Sequence, residues 1–149
     1  RDEYRTMRVD DVIRSAVSEV REMYTGAIVA VAELPSMELA VHPHFKYAVR
    51  HAVENGIEHD DSDEPRVEVR AAVLDNGAVI EVEDDGPGIP ESEIEPLVAG
   101  EETRLVHGSG AGLWILDRVV QYSGGTVEFD TDSDGTVVRL IVNQTALPQ

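Results

Sequence analysis

Val82-Glu83-Asp84-Asp85-Gly86-Pro87-Gly88-Ile89-Pro90 closes one kind of sequence and opens another. Before it, residues 67–74 and 78–82 alternate apolar and polar side chains around Asp75-Asn76-Gly77. Asn-Gly between two such runs predicts a β-hairpin. Asp84 therefore stands at a strand end. After it, the stretch to residue 112 carries Gly86, Pro87, Gly88, Pro90, Pro96, Gly100, Gly108, Gly110 and Gly112. A connection of this length without a periodic pattern is usually functional or disordered, not a plain link. An ordinary Asp-Gly, Pro-Gly turn is the bland alternative for its first residues.

The pattern on either side supplies the layers. Val12, Ile13, Ala16, Val17, Val20 and Met23 recur at helical spacing, and Asp10 and Asp11 offer N-cap chemistry, which predicts a helix over 11–23. Gly26 breaks it. Residues 27–32 and 37–41 read as a strand pair around Leu34-Pro35-Ser36. His42-Pro43 marks a second helix start; its stripe is Phe45, Val49, Ala52, Val53 and Ile57, and it ends near residues 58–59. Residues 60–65 form an acidic, solvated loop. Leu113, Ile115, Leu116, Val119 and Val120 predict a third helix over 111–122, ended by Gly124-Gly125. Residues 126–129 and 136–142 then form a second hairpin. The sum is a two-layer α+β sandwich, with three helices on one face of a mixed, mostly antiparallel sheet.

A length of 149 residues fits one domain over 1–149. The absence of cysteine excludes disulfides, thiolate metal sites and a cysteine nucleophile. No apolar run reaches the roughly 20 residues that span a bilayer. The first residue is Arg1, which is expected of a fragment of a longer protein. Asp and Glu number 30 against 12 Lys and Arg, a net charge of −18, and Lys46 is the only lysine. Such a surface repels nucleic acid and anionic lipid, so neither a nucleic-acid partner nor direct membrane contact is expected. Lysine depletion argues against a hyperthermophile, and the acidity suits a halophilic cytoplasm, where salt screens self-repulsion. Any anionic ligand would then need positive potential built locally.

Three segments carry chemistry. On the second helix, Asn55 and His59 are four residues apart and share a face. An amide oxygen suits Mg²⁺, a hard ion that also takes phosphate oxygens, and His59 could then meet phosphate or bound water. The alternative is a polar helix face with a histidine near its C-terminus. The Asp84 carboxylate can accept a hydrogen bond from an exocyclic amine such as that of adenine, with Gly86 and Gly88 allowing close backbone approach. Gly108-Ser109-Gly110-Ala111-Gly112-Leu113 opens a helix, and its backbone amides can bind phosphate without basic side chains. It lacks the lysine and spacing of a P-loop, and its glycines are not spaced as a Rossmann fingerprint.

In order and separation, residues 55–59, 84–89 and 108–113 resemble the asparagine box and the two glycine boxes of the GHKL superfamily. That superfamily includes histidine kinases, type II topoisomerases, Hsp90 and MutL. The sequence is most similar to the catalytic and ATP-binding domain of histidine kinases, from about residue 8 to residue 142. The resemblance implies ATP and Mg²⁺ as cofactors and gives each residue a role. Asn55 would ligate the metal. Asp84 would read adenine, with Thr136 supporting it through water. Gly86, Gly88 and Ile89 would pack near adenine and start the lid, which covers about 89–108. Gly108, Ser109, Gly110, Gly112 and Leu113 would form the phosphate-side turn. His59 and Arg104 are the candidate catalytic residues, with Arg104 and His107 able to reach the terminal phosphates.

The implied partners are a dimerisation and phosphoacceptor segment N-terminal to this chain, carrying the acceptor histidine, and a response regulator downstream. The domain would be cytoplasmic, its parent free to be membrane-attached. Some positions depart from the family pattern. Leu97, Val98 and Ala99 stand where a phenylalanine-rich box is expected. His51 stands where ATP-hydrolysing members carry a glutamate base, which favours a kinase over an ATPase. An anti-sigma-type serine kinase and a degenerate nucleotide-sensing module are the alternatives. His42 and His44 are expected to cap or face solvent, and Trp114 to be core.

Overall fold

A computed structural model describes residues 4–86, 110–132 and 134–143. Its elements are β1 (Arg5–Arg8), α1 (Val9–Met23), β2 (Ile28–Val31), β3 (Glu38–Val41), α2 (Phe45–Glu58), β4 (Arg66–Leu74), β5 (Gly77–Asp84), α3 (Gly110–Tyr122), β6 (Gly125–Asp132) and β7 (Gly135–Asn143). Five strands form one sheet in the order β2-β4-β5-β7-β6, and β1 pairs with β3 in a separate ribbon. Among the described residues, only the β2–β4 pairing in the large sheet is parallel.

Two expectations need correction. Residues 27–32 and 37–41 do not form a hairpin with each other: β2 joins β4 in parallel, while β3 turns back onto β1. Both segments are strands, but each takes a different partner. Asp10 and Asp11 are not caps either. The helix begins at Val9, Arg8 occupies the N-cap position with no side-chain cap bond, and both aspartates sit in the first turn, where they complement the helix dipole.

Period-2 alternation decides what faces the helices. On β4, Val67 and Val69 point inward; on β5, Ala78, Ile80 and Val82; on β7, Val138, Leu140 and Val142; all are buried. They meet the stripes of α1 (Ile13, Ala16, Val17, Val20), α2 (Phe45, Val49, Ala52, Val53) and α3 (Leu116, Val120) in one core. Continuing each row by one step places Asp84 at the end of β5 and Thr136 at the start of β7 on this same inward face, and the two are register partners. The outer face is instead charged: Arg70 bridges Glu68 and Glu83, and Arg139 bridges Glu81.

The sheet's β2 edge is covered from α1. Arg21 donates from both Nε (3.2 Å) and Nη2 (2.6 Å) to the Val29 carbonyl. An exposed strand edge invites pairing with another chain, and this fork occupies its acceptor. At the opposite end of the fold, Ser123 is fully buried and joins α3 to the approach to α2: His42 N donates to its Oγ at 2.9 Å, and Oγ donates to Val119 O. His42 Nδ1 in turn accepts the His44 N–H at 3.0 Å, so the histidine pair does cap the turn before α2. No helix among the described residues is long and apolar enough to cross a membrane.

Candidate functional site

The C-terminal end of α2, the end of β5 and the start of β7 converge. Asn55 is 5% exposed on α2, Asp84 is 6% exposed on β5 and Thr136 is 2% exposed on β7. These are uncommon levels of burial for polar residues, and each has a local cause. Asn55 lies about a quarter-turn off the apolar stripe, so α2 presents it at the rim of the core. Its Nδ2 donates to the His51 carbonyl one turn earlier, at 2.9 Å. That bond fixes the amide's orientation and leaves Oδ1 as the atom available to a ligand or cation. An amide oxygen held in this way suits a hard divalent ion.

Asp84 is a buried carboxylate with a defined division of labour. Oδ1 accepts the Gly86 N–H at 2.9 Å, closing a tight turn. Burial pushes its pKa up. Hydrogen bonds from the Gly86 and Thr136 backbones and the nearby His59 oppose the shift, while Asp60 adds to it. Oδ2 faces α2 at Gly56, where a Cβ would lie 3.4 Å from it and 2.9 Å from Val67 Cγ2. Gly56 was not singled out by sequence reasoning, yet it is what lets helix and carboxylate close on each other. A signal existed: glycine inside a helical pattern costs about 1 kcal/mol against alanine and needs a packing reason.

Two more glycines complete the frame. A Cβ on Gly86 would sit 2.9 Å from the His59 carbonyl, so the strand end lies directly on the end of α2. Gly135 has φ +146°, in the region that disfavours side chains, and its missing Cβ would stand 2.1 Å from the Asp84 carbonyl oxygen. The β7 chain thus runs hard against the strand that bears Asp84. Thr136 exchanges a hydroxyl hydrogen bond with Thr131 at 2.8 Å, and a cavity of about 170 Å³ is lined by Asp84, Gly135 and Thr136 together with Glu83, Asp130, Asp134 and Val137. A larger cleft, bounded by Val73, Asn76 and Ile141, lies at the opposite end of the sheet, away from these groups.

His59 is placed with the group, and its ring faces the helix: Nδ1 donates to the Asn55 backbone carbonyl at 2.9 Å, capping α2. His51, one turn before Asn55, is half-buried, and burial lowers its pKa. Gly110, Gly112 and Leu113 open α3. Gly88, Ile89, Arg104, His107, Gly108 and Ser109 lie outside the described residues, as do the side chain of Trp114 and positions 97–99.

Residues 40–146 match the family model described as histidine kinase-, DNA gyrase B-, and HSP90-like ATPase. The chain belongs to that family. Within this ATPase family, its likeness is to the catalytic ATP-binding domains of sensor histidine kinases. The mycobacterial sensor histidine kinase MprB is 25% identical with a TM-score of 0.76, over 94% of this chain and 97% of that one. The ATP-binding domain of PrrB from Mycobacterium tuberculosis shares the fold at a TM-score of 0.71 and 19% identity, over 99% of both chains. The histidine-protein kinase ArlS of Staphylococcus aureus is 24% identical over 148 residues. The chain covers 33% of the ArlS sequence, about a third of the length of the curated relatives it matches.

Proposed function

We propose that this domain binds ATP with Mg²⁺ and, within a longer sensor kinase, passes the γ-phosphoryl group to a histidine on a separate segment. The observation that carries the reading is the meeting of Asn55, Asp84 and Thr136. A buried carboxylate at a strand end, with Oδ1 accepting the Gly86 N–H and Oδ2 facing Gly56 of α2, is suited to an amine of a planar base. Asn55 Oδ1, held by its own Nδ2 bond, fits a divalent ion that also takes phosphate oxygens. Bound there, Mg²⁺ would neutralise charge on those oxygens.

The chain's own residues hold and orient. Asp84 accepts from the adenine amine, Thr136 supports it through water, and Gly86, Gly88 and Ile89 pack beside the base. Backbone amides of Gly108, Ser109, Gly110, Gly112 and Leu113 meet the phosphates, which is how a chain of net charge −18 can hold an anion. The stretch 89–108 is the lid over the single domain 1–149, with Arg104 and His107 reaching the terminal phosphate; His59 steadies the Asn55 turn and the bound water. The acceptor ring nitrogen forms a P–N bond as the bond from the γ-phosphorus to its bridging oxygen breaks and ADP leaves. The acceptor sits on the dimerisation segment of the same parent, which works on the cytoplasmic side and hands phosphate to a response regulator. His51, in place of a carboxylate base, leaves water unactivated.

The test is ATP affinity with and without Mg²⁺, in molar KCl, for wild type, Asn55→Ala and Asp84→Ala. Loss of the Mg²⁺ effect in Asn55→Ala and weaker binding in Asp84→Ala are expected; unchanged affinity in Asp84→Ala overturns the pocket. Adding the parent's dimerisation segment should then produce acid-labile phosphate on it.

A further inference from the structure

Asp84, Thr136 and Thr131 form one row across three neighbouring strands. Asp84 of β5 is the register partner of Thr136 on β7, and Thr136 is the register partner of Thr131 on β6. Directly opposed residues share a face of the sheet, so all three side chains lie on the helix-facing side. The register is pinned at the turn, where Asp132 pairs with Gly135; a slip of one residue would carry Thr131 to the other face. Thr131 is half-buried on the edge strand, and Thr136 is buried inside it. Their hydroxyl oxygens are 2.8 Å apart, the distance of a good hydrogen bond, whereas another acceptor for Thr131 Oγ1, the Gly135 carbonyl, is 3.5 Å away.

Resting on the nucleotide pocket proposed above, we infer that Thr131 is a positioning residue for the base: its hydroxyl donates to Thr136 Oγ1, which frees the Thr136 proton for the ligand and makes the pocket select a base with an acceptor beside its exocyclic amine. The direction follows from the protons available. Adenine offers an amine donor and, next to it, the ring nitrogen N1 as an acceptor. Asp84 takes the amine. A water beside it that donates to N1 and to the Asp84 carboxylate has both protons in use, so its third partner must donate. Thr136 is the hydroxyl next in the row, and it has one proton. Were that proton given to Thr131, only lone pairs would face the water. With Thr131 donating at 2.8 Å, the donations run in one direction, from Thr131 to Thr136, to the water, to N1. Guanine carries an N–H at the same ring position and meets this chain donor against donor.

The experiment compares ADP with a deaza analogue that has C–H in place of ring nitrogen N1, by calorimetry with Mg²⁺ in molar KCl, for wild type, Thr131→Val, Thr131→Ser and Asp84→Asn. Valine keeps the shape and strand preference of threonine and lacks the hydroxyl; serine keeps the hydroxyl. Wild type should prefer ADP about tenfold, the worth of one hydrogen bond. Thr131→Val should bring that preference below about threefold by weakening ADP while the analogue binds as before, and Thr131→Ser should keep it. A purely structural role for Thr131 would weaken both nucleotides alike and leave the ratio unchanged. Thermal melting reports folding, and Thr131→Ala takes the place of Thr131→Val should that variant unfold. If the folded variant without the hydroxyl keeps the wild-type ratio, if folded Thr131→Ser loses it, or if wild type binds ADP and the analogue equally, the inference is overturned while the pocket stands. If wild type does not bind ADP, or Asp84→Asn binds it undiminished, the pocket reading falls and takes this one with it.

Discussion

Replacing Asp84 by Asn changes one atom and reverses one hydrogen-bonding role. Oδ1 of Asp84 accepts the Gly86 N–H, and Oδ2 faces Gly56 of α2. An asparagine must keep its single carbonyl oxygen on Gly86, which turns its NH₂ group toward the adenine amine, donor against donor. The flipped rotamer meets the same conflict at Gly86. A hydrogen bond to a charged group is worth about 1.5–3 kcal/mol, so ATP affinity should fall roughly 10- to 150-fold. The outward NH₂ suits a carbonyl acceptor, so the preference for ATP over GTP should shrink or invert. Stability moves the other way. Burial holds the Asp84 carboxyl above its ordinary range, so the ionised form is the one the fold disfavours. Asp84→Asn should therefore melt higher than wild type at neutral pH. Calorimetry with ATP and GTP, paired with thermal melting, reads both effects. Unchanged ATP affinity in a folded Asp84→Asn protein would refute the role given to this carboxylate.

Three further predictions concern the same frame. The stability advantage of Asp84→Asn should depend on pH: because the folded pKa is raised, wild type gains stability as pH falls through that value to the ordinary carboxylate range, so the gap is widest near neutrality and closes in acid; melting curves across pH that keep a constant gap would count against it. Gly56→Ala gains about 1 kcal/mol of helix propensity but presses a methyl 2.9 Å from Val67 Cγ2 and 3.2 Å from Asp84 Cβ, an overpacking cost of about 1–3 kcal/mol. It should leave stability level or lower and weaken ATP binding by displacing Asp84; a stabilised variant with full affinity contradicts the close-approach reading. Gly135→Ala combines φ +146° with a Cβ 2.1 Å from the Asp84 carbonyl oxygen, so it should lower the melting temperature by at least several degrees, while the exposed Val73→Thr should change it little.

The sheet's inner rows were legible where apolar residues recur at period 2 (Val67 and Val69, Ile80 and Val82, Val138 and Leu140), and extending those rows by one step carries Asp84 and Thr136 to the helix-facing side. The long helices were legible for the same reason at their own period. What escaped was partner choice: 27–32 and 37–41 have the local look of a hairpin, and nothing within them says that β2 pairs in parallel with a strand some forty residues on. Capping escaped too, since Asp10 and Asp11 fit either an N-cap or a first turn. In the site, glycine boxes announced the loops, but Gly56 acts through a contact with a side chain on another element, which spacing along one helix does not express. Spacing put His59 on the face of Asn55 but could not show that its Nδ1 donates to the Asn55 backbone carbonyl.

The most direct measurement is a calorimetric titration of the chain with ATP and Mg²⁺ in molar KCl. Saturable one-to-one binding tighter than about a millimolar, weakened by removal of Mg²⁺, is the expected result. No binding at millimolar ATP, or binding indifferent to Mg²⁺, would contradict the assignment of Asn55, Asp84 and Thr136 to a nucleotide pocket.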